Sequence, residues 1–194
     1  MELLRRERLL ALLLHISTIV FCWLAMQAVH ESGHVLHALW SGARVTKVVL
    51  HPATLSRTDV AFNNTPRFVA WGGFIWGIVV PLGVLALVRA YARHYFFLAQ
   101  FFAGFCLVAN GAYMAAGAVW RIGDSADLLS HGESKALLIA VGVLLTAAGL
   151  WAWNGLGRHF AIGRHAEHVT PRLAWTIAGA AAVLLVVELM VDSR

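Results

Sequence analysis

The sequence predicts an all-α polytopic membrane protein, a single domain over residues 1–194 with about five transmembrane helices and a short β-hairpin-like loop after the first. Composition is the first observation. Of 194 residues, 60% are hydrophobic and 13% charged, and the mean hydropathy is +0.72, which excludes an ordinary soluble domain. The second is the presence of five apolar stretches long enough for the roughly 20 residues that cross a hydrocarbon core: Leu9 to Trp40, Phe68 to Val88, Phe96 to Trp120, Ala136 to Leu156 and Leu173 to Val191. Third, Trp40, Trp71, Trp120, Trp151, Trp153 and Trp175 stand towards the ends of these stretches, as aromatic belts do.

Residues 2 to 8, Glu-Leu-Leu-Arg-Arg-Glu-Arg, read as an exposed or interfacial lead-in. The leucine-rich run after them has the look of a signal peptide, but cleavage near Ala28 would sever it from the motif that follows, so a retained helix is expected. The first stretch exceeds one simple crossing. If lipid begins at Leu9, a rise of 1.5 Å per residue puts His30 about 31 Å away, at the far surface. If the embedded part runs from about Ile16 to Trp40, His30 lies about 15 Å and His34 about 9 Å short of the distal end, inside the bilayer. Ser32, Gly33 and Ala38 would permit close helix approach.

Val45 to Leu50 and Thr54 to Phe62 flank His51-Pro52-Ala53 in a hairpin-like pattern, whose alternative is an amphipathic loop on the headgroups. A free strand edge there would suit binding of an extended peptide by strand addition. In the second span, Gly72-Gly73 and Gly77 have the spacing of a close helix contact, or are ordinary membrane glycines. Glu188 interrupts the last span near its end and reads as an interfacial carboxylate.

Cys22 and Cys106 both lie in apolar stretches, which predicts packing residues and no disulfide framework. The formal charge of +5 comes from arginines scattered at span ends, the pattern of membrane-flanking charge and not of a nucleic-acid surface. Lysines and arginines total eight on the amino-terminal side of a five-span chain and seven on the other, so charge does not set the orientation.

Near the end of the first stretch stands the pentapeptide His30-Glu31-Ser32-Gly33-His34. On a helix, residues four apart share a face, so two imidazoles can ligate one zinc ion while the adjacent glutamate acts on water. The alternative is a pair of interfacial histidines closing a membrane helix, which leaves an intramembrane glutamate without a task. A catalytic zinc takes three protein ligands and keeps one open position. Asp124 and Asp127 are the only acids between positions 60 and 132, and either could complete the set or simply start a helix in a solvated loop. His37 competes through the 30, 34, 37 stripe, but three ligands on successive turns of one straight helix, about 5.4 Å apart, fit zinc poorly. Asn110, polar in an apolar span, could contact substrate or an oxyanion, or make an interhelical hydrogen bond. His159, His165 and His168 precede the last span.

On these residues the chain resembles the site-2 protease family of intramembrane zinc metalloproteases, and specifically its small members without a PDZ domain. The resemblance is carried by His30-Glu31-Ser32-Gly33-His34, by Gly72-Gly73 with Gly77, and by Gly123-Asp124-Ser125-Ala126-Asp127-Leu128-Leu129, covering roughly residues 16 to 130 as the core, with helices 136–156 and 173–191 added. It implies that His30, His34 and Asp124 hold Zn2+, with Asp127 the alternative, and that Glu31 is the general base that hydrolyses a peptide bond of a transmembrane protein substrate. Ser125-Ala126 replaces the glycines of the family's Asp-Gly-Gly pattern, Gly72-Gly73 lacks the family's proline, and some 27 residues between the first two spans leave no room for a PDZ insertion. The family's placement of zinc near the cytosol would put the amino terminus outside, against the Arg5, Arg6, Arg8 cluster. The expected setting is the bilayer of a bacterial inner membrane. Two rival readings are a histidine-box di-iron oxidase using His30, His34 and His37 with His159, His165 and His168, and a catalytically silent metal-binding scaffold.

Overall fold

The computed structural model describes residues 2–192, and the side chains of 5–191. Helix α1 (Glu2–Trp40) runs unbroken through the lead-in and the motif. Strands β1 (Arg44–Val49) and β2 (Arg57–Ala61) follow, then α2 (Pro66–Tyr91), α3 (Phe96–Trp120), the short α4 (Gly123–Ser130), α5 (Lys135–Ala152) and α6 (Pro171–Asp192). Five of these helices, α1, α2, α3, α5 and α6, are long and apolar enough to cross a membrane, so the chain has the all-helical polytopic fold its composition predicts. Apolar residues such as Leu12, Ile16, Val79, Leu144 and Val183 are more than half exposed, as lipid-facing positions require.

Glycines set the closest helix packing. A Cβ on Gly33 would overlap the Gly72 carbonyl, and one on Gly72 would overlap that of Gly33, so α1 and α2 touch backbone to backbone. The same reciprocity joins α3 to α5, where Gly104 meets Gly149 and Gly111 meets Gly142. Spaced seven apart on both helices, these pairs form an antiparallel seam that the sequence reading did not single out. Ser32, expected at such a contact, instead faces outward and returns its hydroxyl to the Ala28 carbonyl at 2.6 Å.

Three further expectations are corrected. The fourth span ends at Ala152 and not at residue 156, because Gly155, at φ +80°, turns the chain into a separate 3-10 turn, Leu156–Phe160. Trp71 and Trp153 belong to the interior more than to a belt: Trp71 donates to Glu133 at 2.9 Å, and Trp153 donates to the Phe101 carbonyl at 3.0 Å while its ring fills the space beside Gly104. Glu188 is buried, with neither carboxylate oxygen hydrogen-bonded, where an interfacial carboxylate was expected. Cys22 and Cys106 are buried free thiols, as expected.

The hairpin pairs antiparallel, Val45 with Val60 and Val48 with Thr58, and a bulge at Thr46 is closed by its hydroxyl on the Asp59 carbonyl at 3.0 Å. The loop before β2 and β2 itself lie on α1 through a stripe of three side chains one turn apart. Trp23 donates to the Pro52 carbonyl at 2.8 Å, Gln27 accepts the Ser56 N–H at 3.0 Å, and Glu31 accepts the Thr58 hydroxyl at 2.6 Å. Glu133 anchors the entry to α5 against α2: the Trp71 indole and the Arg67 guanidinium both donate to it, and they hold its carboxyl below the ordinary glutamate range.

Candidate metal centre

His30 and His34 share one face of α1, and both are buried. The turn between α3 and α4 brings the third group to them. Arg121 closes α3 in the left-handed region at φ +58°, and Gly123 follows at φ +56°, which reverses the chain and sets Asp124 in the first turn of α4. Gly123 has no substitute there, because the Tyr113 hydroxyl occupies the space a Cβ would take. Ser125 ties this turn to α3, buried against Gly117 with its hydroxyl on the Met114 carbonyl at 3.0 Å. Ser125 thus has a structural task of its own.

Three donor atoms converge. His30 Nε2 lies 2.9 Å from Asp124 Oδ2, His34 Nε2 lies 3.4 Å from the same oxygen, and the two Nε2 atoms are 3.2 Å apart. Ligands at about 2.0–2.1 Å from a tetrahedral ion stand roughly 3.3 Å from one another, so this spacing suits a first-row cation such as zinc. Among the described residues, His30, His34 and Asp124 are the one group of metal-ligating side chains gathered this closely.

The outer hydrogen bonds leave the right nitrogens free. His34 Nδ1 donates to the Val69 carbonyl at 2.8 Å, and His30 Nδ1 donates to Asn110 Oδ1 at 2.7 Å. Asn110 cannot face the other way, since its Nδ2 donates to the Cys106 carbonyl at 2.9 Å and the Gly77 carbonyl at 3.4 Å. With both Nδ1 atoms protonated, both Nε2 lone pairs point to the shared centre. Asn110 therefore orients His30, and both ends of its amide are engaged within the protein. Burial works against ionisation of Asp124, but the hydrogen bonds from His30 and His34 together outweigh it and hold the carboxyl below the ordinary aspartate range.

The remaining sequence candidates stand apart from this set. Asp127 lines the same cleft without joining the converging atoms, and burial followed by the neighbouring Asp124 charge pushes its carboxyl up. His37 is stacked on Phe68, with ring centroids 4.1 Å apart, and donates to the Phe68 carbonyl at 2.7 Å. His159 pairs with Glu167 at 2.8 Å, and its neighbour Phe160 packs on His15, half a helix away from the centre. The step from His15 to His30 is about 22 Å along α1.

Gly73 and Gly77 are the room in which the centre is built. A Cβ on Gly73 would overlap Nε2 of both histidines, and one on Gly77 would press on the Asn110 amide. Gly73→Ala should therefore lower metal affinity on the order of 100-fold, a loss as large as disturbing the ligands' supporting shell causes, although alanine favours the helix. Metal content after dialysis measures it. Asn110→Leu, which leaves His30 Nδ1 unpaired, should cost about 10–100-fold in metal affinity with the three ligands intact, as read by competition with a chromophoric chelator.

Glu31 completes the arrangement. It is buried, follows His30 directly, and is held by Thr58 of β2. His30, Glu31, His34, Asn110 and Asp124 open on one cleft of about 750 Å³ between α1, β2 and α4. Tyr113, Thr58 and Gln27 also line it, and the sequence reading assigned them no role; the 23, 27, 31 stripe of polar-capable side chains was the signal for Gln27. No family model, curated protein or solved structure matches this chain.

Proposed function

We propose that this chain is an intramembrane zinc metalloprotease that hydrolyses a peptide bond in or beside a transmembrane segment of another protein, in the inner membrane of a bacterium. The single observation behind this is the meeting of two histidine Nε2 atoms and Asp124 Oδ2 beside a buried glutamate and a strand edge. His30, His34 and Asp124 would hold the ion. Zinc, when bound, supplies Lewis acidity, which polarises a carbonyl and makes water acidic enough to ionise near neutral pH.

The protein's own residues do the rest. Glu31 takes the proton of the attacking water and returns it to the leaving amine, with Thr58 holding the carboxylate in place. β2 pairs with β1 on one side, and its other edge has no partner strand among the described residues, so an extended substrate can add there alongside Thr58 and Asp59. The polar cleft that these residues line gives water a path to the buried centre. Against the di-iron oxidase, His168 lies at Glu7 and His159 next to the Phe160 that packs on His15, both towards the opposite end of α1 from His30; one zinc per chain in metal analysis supports the protease, and two irons support the oxidase. Cleavage of a membrane peptide by the zinc-loaded protein in vesicles tests the proposal directly, and retained zinc without turnover on any such substrate would favour the silent scaffold.

A further inference from the structure

Gln27 lies one helical turn before Glu31, lines the metal cleft and is 2% exposed. Its Oε1 accepts the Ser56 N–H, which fixes the orientation of the amide, because only the oxygen can accept. The consequence is a buried Nε2 with no hydrogen-bond partner. An unpaired donor buried in this way is costly, and rare unless something binds it.

The stripe on α1 indicates what. Between Gln27 and Glu31 the helix rises about 6 Å, and between Ser56 and Thr58, their respective partners, extended chain rises about 6.7 Å. This segment thus runs along α1 with two of its residues to each helical turn. A peptide added to the free edge of β2 follows the same line. Its same-facing carbonyls recur at that interval, so when one stands at Glu31 the next stands at Gln27.

We infer that Gln27 Nε2 forms a subsite for a backbone carbonyl two residues from the scissile bond of an extended peptide. The inference rests on the protease reading and deepens it. Because the ligand is main chain, the subsite selects extended conformation and not side-chain identity.

Peptide hydroxamates test this without turnover, since the head group anchors at the metal and the attached chain probes the subsite. The zinc-loaded full chain in detergent is titrated with acetohydroxamate and with hydroxamates carrying one, two or three residues. In the wild type, the step that adds the carbonyl two residues from the head group should tighten binding by about tenfold, the worth of a buried hydrogen bond. That step should vanish in Gln27→Glu, which keeps the oxygen that accepts from Ser56 and loses the donor, and in Gln27→Leu; acetohydroxamate should bind all three proteins alike. An equal step in wild type and variants overturns the subsite while leaving the protease reading standing. Failure of the zinc-loaded wild type to bind any hydroxamate overturns both. A measurement on the wild type alone guards against variants that misfold: replacing the contacted amide by an ester, a weaker acceptor, should loosen binding several-fold, and unchanged affinity overturns the subsite.

Discussion

Glu31→Gln should leave one zinc per chain and reduce cleavage of a membrane peptide by about 10²–10⁴-fold. The substitution preserves shape, and its Oε1 can still accept the Thr58 hydroxyl that Glu31 accepts at 2.6 Å. What it removes is the ability to take a proton from water. Metal content and single-turnover cleavage, measured on the same preparation in vesicles, separate the two effects. Cleavage at the wild-type rate would refute the role given to Glu31, and loss of zinc would mean that the glutamate holds the centre together instead of acting within it.

Asp124→Asn should weaken zinc binding by more than about 100-fold, beyond what outer-shell changes cost, because it deletes the one anionic ligand of the set. Asparagine fits the same space. The two imidazoles, 3.2 Å apart at Nε2, would then have to share a dication with no negative charge beside them. Asp127→Asn and His37→Ala are the controls that give the result its meaning: Asp127 is outside the converging atoms, and His37 is occupied by Phe68, so both should keep wild-type zinc content. If Asp127→Asn loses the metal and Asp124→Asn retains it, the ligand assignment is wrong.

Much of the candidate site was legible because its principal elements are local. His30, Glu31 and His34 need only a helix to share a face, and an apolar run without proline supplies one. The hairpin was legible for a similar reason, since the β-branched run from Val45 and the alternation over Thr54 to Phe62 are properties of neighbours in sequence; β2 formed within those bounds, and β1 begins one residue earlier, at Arg44. Glycine meaning was legible only in part. Gly33 and the Gly72-Gly73-Gly77 cluster read as helix-contact positions, and Gly33 does meet Gly72, but Gly104 with Gly149 and Gly111 with Gly142 look like any membrane glycines until α3 and α5 are placed in register. Ser125 departs from an Asp-Gly-Gly pattern in sequence, whereas its hydrogen bond to the Met114 carbonyl makes it a clamp on the turn that carries Asp124.

The sequence by itself determined a five-span apolar helical chain and a two-histidine, one-glutamate face on its first helix, because hydropathy and the 3.6-residue period act along the chain. The choice among Asp124, Asp127 and His37, the use of Asn110 as a support for His30, and the unpaired Gln27 amide facing β2 were decided only by tertiary structure. Each depends on distances between residues from about 30 to 94 positions apart, set by glycine contacts and left-handed turns whose effect appears only once the helices pack.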